Sequence, residues 1–211
     1  EYEVKDDEVK IESESKSDDE DQRDKSEIEV KLGDDSLKIR VRWYHKADDM
    51  EEAFDFKVRF NEIVEYLESS DSASGFDASV DTVVQEYVLG LDSAGWAAPV
   101  TSEGPNGETI FTFQTGDGIF RVDLIITSSL TELESGTSLA PNELKLDIYI
   151  SNFPYAGDGS YLGLVGKVQS KFEQEDDDDV EEGEEGTSLE GAAFFTWDTT
   201  VLADGVEVNV I

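Results

Sequence analysis

The sequence predicts an all-β fold: a β-sandwich or jelly roll with an N-terminal β-hairpin and long acidic loops. Three observations predict it. Short runs alternate apolar and polar residues with period two. Clusters of Gly, Pro, Asn and Asp separate these runs. No long amphipathic helix remains once residue types are weighed.

Along the chain, Val9 and Ile11 suggest a first short strand. Residues 12–24 are mostly Ser and acid, and read as a solvated loop. Ile28–Leu32 and Leu37–Trp43 alternate strictly, with Lys38, Arg40 and Arg42 on the wet face. The turn residues Gly33-Asp34-Asp35-Ser36 lie between them, so 27–43 reads as a β-hairpin. Phe54–Phe60 alternates again. A helix competes there, because Phe56, Phe60, Ile63, Val64 and Leu67 also follow helical spacing. The aromatic and β-branched content favours a strand. Further strands are expected at Val83–Leu89, Thr109–Phe113, Ile119–Ile126, Leu144–Ile150, Tyr161–Val168, Ala192–Trp197 and Val206–Ile211. The turns Gly104–Gly107, Gly116–Gly118, Pro141-Asn142, Gly157–Gly159 and Asp204-Gly205 punctuate them.

Charge dominates the composition. The 211 residues hold 52 acids, 16 bases and one histidine, a net charge of -36. Residues 1–53 carry a mixed-sign net of -10, and 54–211 a net of -26 with only 6 bases. A soft boundary near Met50–Ala53 therefore separates a mixed-charge hairpin segment, 1–53, from an acidic sandwich domain, 54–211. The first segment has the option of joining the same sheet system. Such charge argues against nucleic acid as a partner, which needs a basic face. No apolar run reaches the 18 or more residues of a membrane span. Cysteine is absent, so thiolate metal sites and disulfides are excluded. The chain starts at Glu1 and not Met, which fits removal of a signal peptide or a trimmed boundary.

Residues 173–186 contain ten acids in fourteen positions. Carboxylates about 6 Å apart repel by roughly 0.7 kcal/mol even in water. A divalent cation relieves this, and calcium suits irregular carboxylate clusters better than magnesium. The candidate calcium ligands are Glu173, Glu175, Asp176, Asp177, Asp178, Asp179, Glu181 and Glu182, with Asp71, Asp77 and Asp81 in a second, Gly/Ser-rich loop. That loop lacks the EF-hand pattern, and Asx-type turns are the favoured reading of it, with a non-EF calcium loop as the alternative. Extracellular calcium sites have Kd values of about 10⁻⁴–10⁻³ M. At tenfold excess over Kd, one site stabilises a fold by about 1.4 kcal/mol.

Catalytic motifs are missing. His45 is the sole imidazole, and no G-x-S-x-G, Walker A or GxGxxG element occurs. The chain reads as a non-enzyme.

Three stretches carry a resemblance: Gly75–Val84, Pro141–Tyr155 with its Asn152-Phe-Pro-Tyr155, and Ala193–Trp197 leading to Asp204–Val208. Over about 54–211 the chain resembles the secreted acidic, aspartate-rich skeletal organic matrix proteins of stony corals. The resemblance implies calcium binding and calcium carbonate deposition in an extracellular skeleton. The acidic run would then be the element facing calcium or mineral. Two departures stand out: the acidic runs are short, and Glu slightly outnumbers Asp.

The first expectation is a secreted extracellular-matrix protein that binds calcium at low affinity. Its partners are calcium ions or a calcium mineral surface, other copies of itself, or other matrix proteins. A carbohydrate-binding or adhesive β-sandwich is an alternative, marked by an exposed coplanar Trp/Tyr pair. A salt-adapted structural or fibre subunit is another.

Overall fold

In the computed structural model, the described residues are 2–16, 22–47, 50–70, 75–141, 143–175, 200–203 and 206–209. Their strands, in chain order, are β1 (Tyr2–Val4), β2 (Glu8–Lys16), β3 (Gln22–Leu32), β4 (Leu37–Ala47), β5 (Met50–Leu67) and β6 (Thr82–Val88). A one-turn helix α1 (Leu91–Ala94) follows. Next come β7 (Val100–Glu103), β8 (Thr109–Gln114), β9 (Phe120–Ile126), β10 (Thr131–Glu132), β11 (Ser138–Leu139) and β12 (Lys145–Ile150). The last are β13 (Tyr161–Glu175), β14 (Thr200–Ala203) and β15 (Val206–Asn209). The all-β prediction holds.

Two antiparallel sheets carry the core. The first runs β1-β2-β3-β4-β5-β13, with β6 also paired to β5. The second runs β12-β9-β8-β7. Inward residues of the first sheet, Val9, Val30, Leu37, Ile39, Val58 and Phe60, join one apolar cluster with Phe111, Phe113, Phe120, Val122 and Leu124 of the second. The Phe60 and Phe120 rings meet across it at 6.3 Å. Sheets that alternate inward apolar and outward polar residues stack in this way, as a sandwich.

The β3–β4 hairpin turns at 33–36, where Gly33 N–H donates to the Ser36 carbonyl at 2.8 Å. β4 then pairs with β5 from Ala47↔Met50 to Leu37↔Phe60, so the chain crosses the change of composition near residue 50 inside one sheet. β5 settles the strand-or-helix ambiguity. Phe54, Val58 and Phe60 are buried and alternate with Asp55, Lys57 and Arg59. Beyond Phe60 a β-bulge intervenes: Phe60 pairs with Gly166 and Glu62 with Val165, leaving Asn61 as the extra residue. The bulge shifts the phase by one, so Phe60 and Ile63 share the core face. This phase shift produces the i, i+3 spacing that imitates a helix.

Two sequence expectations are corrected. Residues 12–16 and 22–24 are strand and not loop, paired from Glu12↔Glu27 to Lys16↔Arg23. Opposite charges hold this part of the hairpin: Lys10 and Lys25 both lie within 4 Å of Glu12 and of Glu27. The alternation of sign outweighs the disorder-like composition. The acidic stretch also begins later than expected. β13 continues to Glu175, and Glu173 and Glu175 pair with Ala53 and Glu51. The expected strand at Ala192–Trp197 lies outside the described residues.

Candidate functional site

Carboxylates are the abundant chemistry, so their placement decides what the surface can do. Asp77 and Asp81 lie in the segment between β5 and β6. Asp81 accepts hydrogen bonds from the Ser69 N–H (2.8 Å) and the Asp77 N–H (2.7 Å). Asp77 accepts from the Ser79 N–H (2.8 Å) and hydroxyl (2.6 Å). The Ser79 hydroxyl and N–H hold the Asp77 carboxyl below its ordinary range, against opposition from the Asp81 charge. These are Asx-type turns. They fold the segment over the sheet, where Phe76 packs on Tyr66 at 5.1 Å and over Gly163. A Cβ on Gly163 would sit 3.2 Å from the Phe76 Cβ, so a bare glycine admits the ring. Asp71, Asp176–Asp179, Glu181 and Glu182 lie outside the described residues. Glu173 and Glu175 are placed by backbone register alone. Among the described residues, no three His, Cys, Asp or Glu side chains gather into a metal-holding group.

Among the described residues one carboxylate is fully buried: Glu65, on β5. It accepts from Gln85 Nε2 (2.6 Å), the Ala156 N–H (2.9 Å), the Gly157 N–H (2.8 Å) and the Ser160 hydroxyl. Burial pushes its pKa up, but the four donors outweigh burial and bring it down to about 2. Gln85 Nε2 also donates to the Pro154 carbonyl at 2.7 Å. The loop after Asn152-Phe-Pro-Tyr155 is therefore clamped to the sheet through Glu65. The sequence reading missed this residue. Its signal was a charge inside the apolar run Ile63-Val64-Glu65-Tyr66.

A second clamp joins β6 to the β8–β9 turn. Asp117 accepts from the Tyr87 hydroxyl (2.8 Å), the Thr115 hydroxyl (2.7 Å) and the Ile119 N–H (3.0 Å). Burial and the Asp117 charge push the Tyr87 hydroxyl up to about 12. Thus Glu65, Asp81 and Asp117 serve as backbone clamps, while the buried Asp123 on β9 accepts from Thr112 and Arg121.

Comparisons of the chain with protein-family models, curated proteins and solved structures return no match.

The bases are unevenly placed. At outward register positions of the first sheet, β2 contributes Lys10, β3 Lys25 and Lys31, and β4 Lys38, Arg40, Arg42 and Lys46. β5 adds Lys57 and Arg59, and β13 adds Lys167 and Lys171. With Lys16 on β2 and Arg23 on β3, thirteen of the chain's sixteen bases take outward register positions of this sheet. Over its middle they are paired. Arg40 binds Asp55 through two hydrogen bonds, and Lys57 reaches Asp55 at 3.0 Å. An open depression of about 330 Å³, lined by Lys25, Glu27, Arg42 and Tyr44, lies on the same face.

Aromatic rings do not form a flat platform on the described surface. The exposed Tyr155 meets Phe153 edge-on, and the exposed Tyr161 is tilted by 36° from Tyr66. Trp96 packs edge-on against Phe120 and donates to the Leu89 carbonyl at 3.2 Å. Trp43 stacks on His45 at 5.6 Å, which gives the lone imidazole a packing role. No described helix is long and apolar enough to cross a membrane.

Proposed function

We propose that this chain is a secreted, non-enzymatic extracellular-matrix protein. It binds calcium weakly and at many sites through surface carboxylates, for calcium-bridged assembly or contact with a calcium mineral. The observation that carries this reading is the separation of acids by role. Glu65, Asp81 and Asp117 are consumed by backbone clamps. They are three of the 52 acids, and ten others lie in the run at 173–185. The described carboxylates form no preorganised cage, and carboxylate-rich surfaces of this kind favour hard, geometrically tolerant calcium at about millimolar affinity.

The test is a calcium titration by calorimetry on the wild type and on a variant with Asp176–Asp179 changed to Asn. The expected outcome is several sites near millimolar, fewer in the variant, with an unchanged circular dichroism spectrum. Absence of binding by the wild type at about ten times that concentration would remove the reading.

A further inference from the structure

The first sheet carries a row of four bases, bordered by Glu8 opposite Lys31, of which only Lys38 makes an ion pair among the described residues. Lys31 pairs with Lys38, Lys38 with Arg59, and Arg59 with Lys167, on four adjacent strands. Strands lie about 4.8 Å apart, so the row spans about 14 Å. Like charges directly opposite one another destabilise a sheet. Lys38 reaches only the exposed Asp35, at 3.6 Å. Lys31, Arg59 and Lys167 have no ion-pair partner among the described residues. Lys31 and Lys167 are exposed.

We infer that this row is a docking surface for the acidic surface of a second copy of this chain. Charge complementarity names the occupant. With thirteen bases at outward register positions of one sheet, three remain for the rest of a molecule that carries 52 acids. Each copy therefore offers one cationic row and an extensive anionic remainder. A contact between unlike patches is head-to-tail, and it propagates if the rotation does not close. Two copies also repel through their net charge of -36. At about 0.15 M salt the screening length falls to about 8 Å, which weakens that long-range repulsion while pairs in contact persist. At about 1 M salt the screening length is about 3 Å, and exposed pairs weaken too. Association is therefore strongest at intermediate ionic strength. It uses lysine and arginine and needs no metal, so it goes beyond the calcium reading and stands apart from it.

The experiment is sedimentation equilibrium in a chelator-containing buffer across a salt series from about 0.01 M to about 1 M. The wild type should gain weight-average mass near 0.15 M and return to monomer at both extremes. The variant Lys31→Gln/Arg59→Gln/Lys167→Gln should stay monomeric throughout, and Lys31→Arg/Lys167→Arg should associate like the wild type. Carbodiimide crosslinking of mixed isotope-labelled and unlabelled wild type gives a readout that does not depend on any variant folding. Lys31, Lys38 or Lys167 should join carboxylates of the other isotope. A wild type that is monomeric at every salt concentration overturns the inference. So do intermolecular crosslinks that avoid all three lysines. Chelation removes calcium bridging, so failure here leaves the calcium titration intact.

Discussion

Glu65 shows how a single side chain ties two distant parts of the chain together. Its carboxylate is ionised inside the protein because four donors from Gln85, Ala156, Gly157 and Ser160 surround it. Its folded pKa of about 2 lies below the ordinary 4.5, so the folded state binds its proton less readily than the unfolded chain does. The stabilisation is complete above about pH 4.5 and is lost as pH falls through that range toward about 2. Urea midpoints measured from pH 7 to pH 2 should fall across this window in the wild type. In Glu65→Gln they should be lower at pH 7 and fall less steeply in the same window, since the titrating group is gone. Parallel curves for the two proteins would show that Glu65 does not carry this dependence. In the core, Phe120→Ala removes a ring that meets Phe60 and Trp96, and should destabilise the protein by about 3–5 kcal/mol. Chemical denaturation measures it, and a loss below about 1 kcal/mol would contradict the packing described.

β5 and β13 form the element on which the first sheet turns. At their bulge, a Cβ on Gly166 would lie 2.4 Å from the Arg59 carbonyl oxygen. The backbone cannot yield as a flexible side chain does, so Gly166→Ala should cost about 1–3 kcal/mol. Its amide shifts should change most around Asn61 and Val165, and an unperturbed spectrum there would refute the bulge. At this scale the sequence was legible where periodicity is strong. The alternation in 28–32, 37–43 and 54–60 gave the right strands and faces, because burial of one face writes period two directly into the residue types. It was misleading where polar residues pair with each other. Residues 12–16 and 22–24 contain no apolar side chain to leave a mark, yet Lys10 and Lys25 bridge Glu12 and Glu27 across the hairpin. The Asx-turn reading of Asp77 and Asp81 was accessible from their Gly/Ser setting. The Glu65 clamp was not, because three of its four partners lie some ninety residues away.

Across the whole molecule, charge repulsion acts against compactness. At about 0.01 M salt the screening length is about 30 Å, comparable with the molecule, and it shrinks to about 8 Å at 0.15 M. The melting temperature at neutral pH should therefore rise with sodium chloride over this range. A flat or falling curve would show that the surface ion pairs outweigh the net repulsion of -36. The pairing of β5 also orders events in time. β1 to β5 follow one another through short connections, so their contacts are local and close early. β13 joins β5 from roughly one hundred residues downstream. Until it arrives, the long edge of β5 is unpaired, and an unpaired edge is where chains aggregate during synthesis or refolding. The slowest and most concentration-sensitive phase of folding is thus assigned to the closing of that seam. Lys167 and Lys171, which ride on β13, reach the basic face only with it.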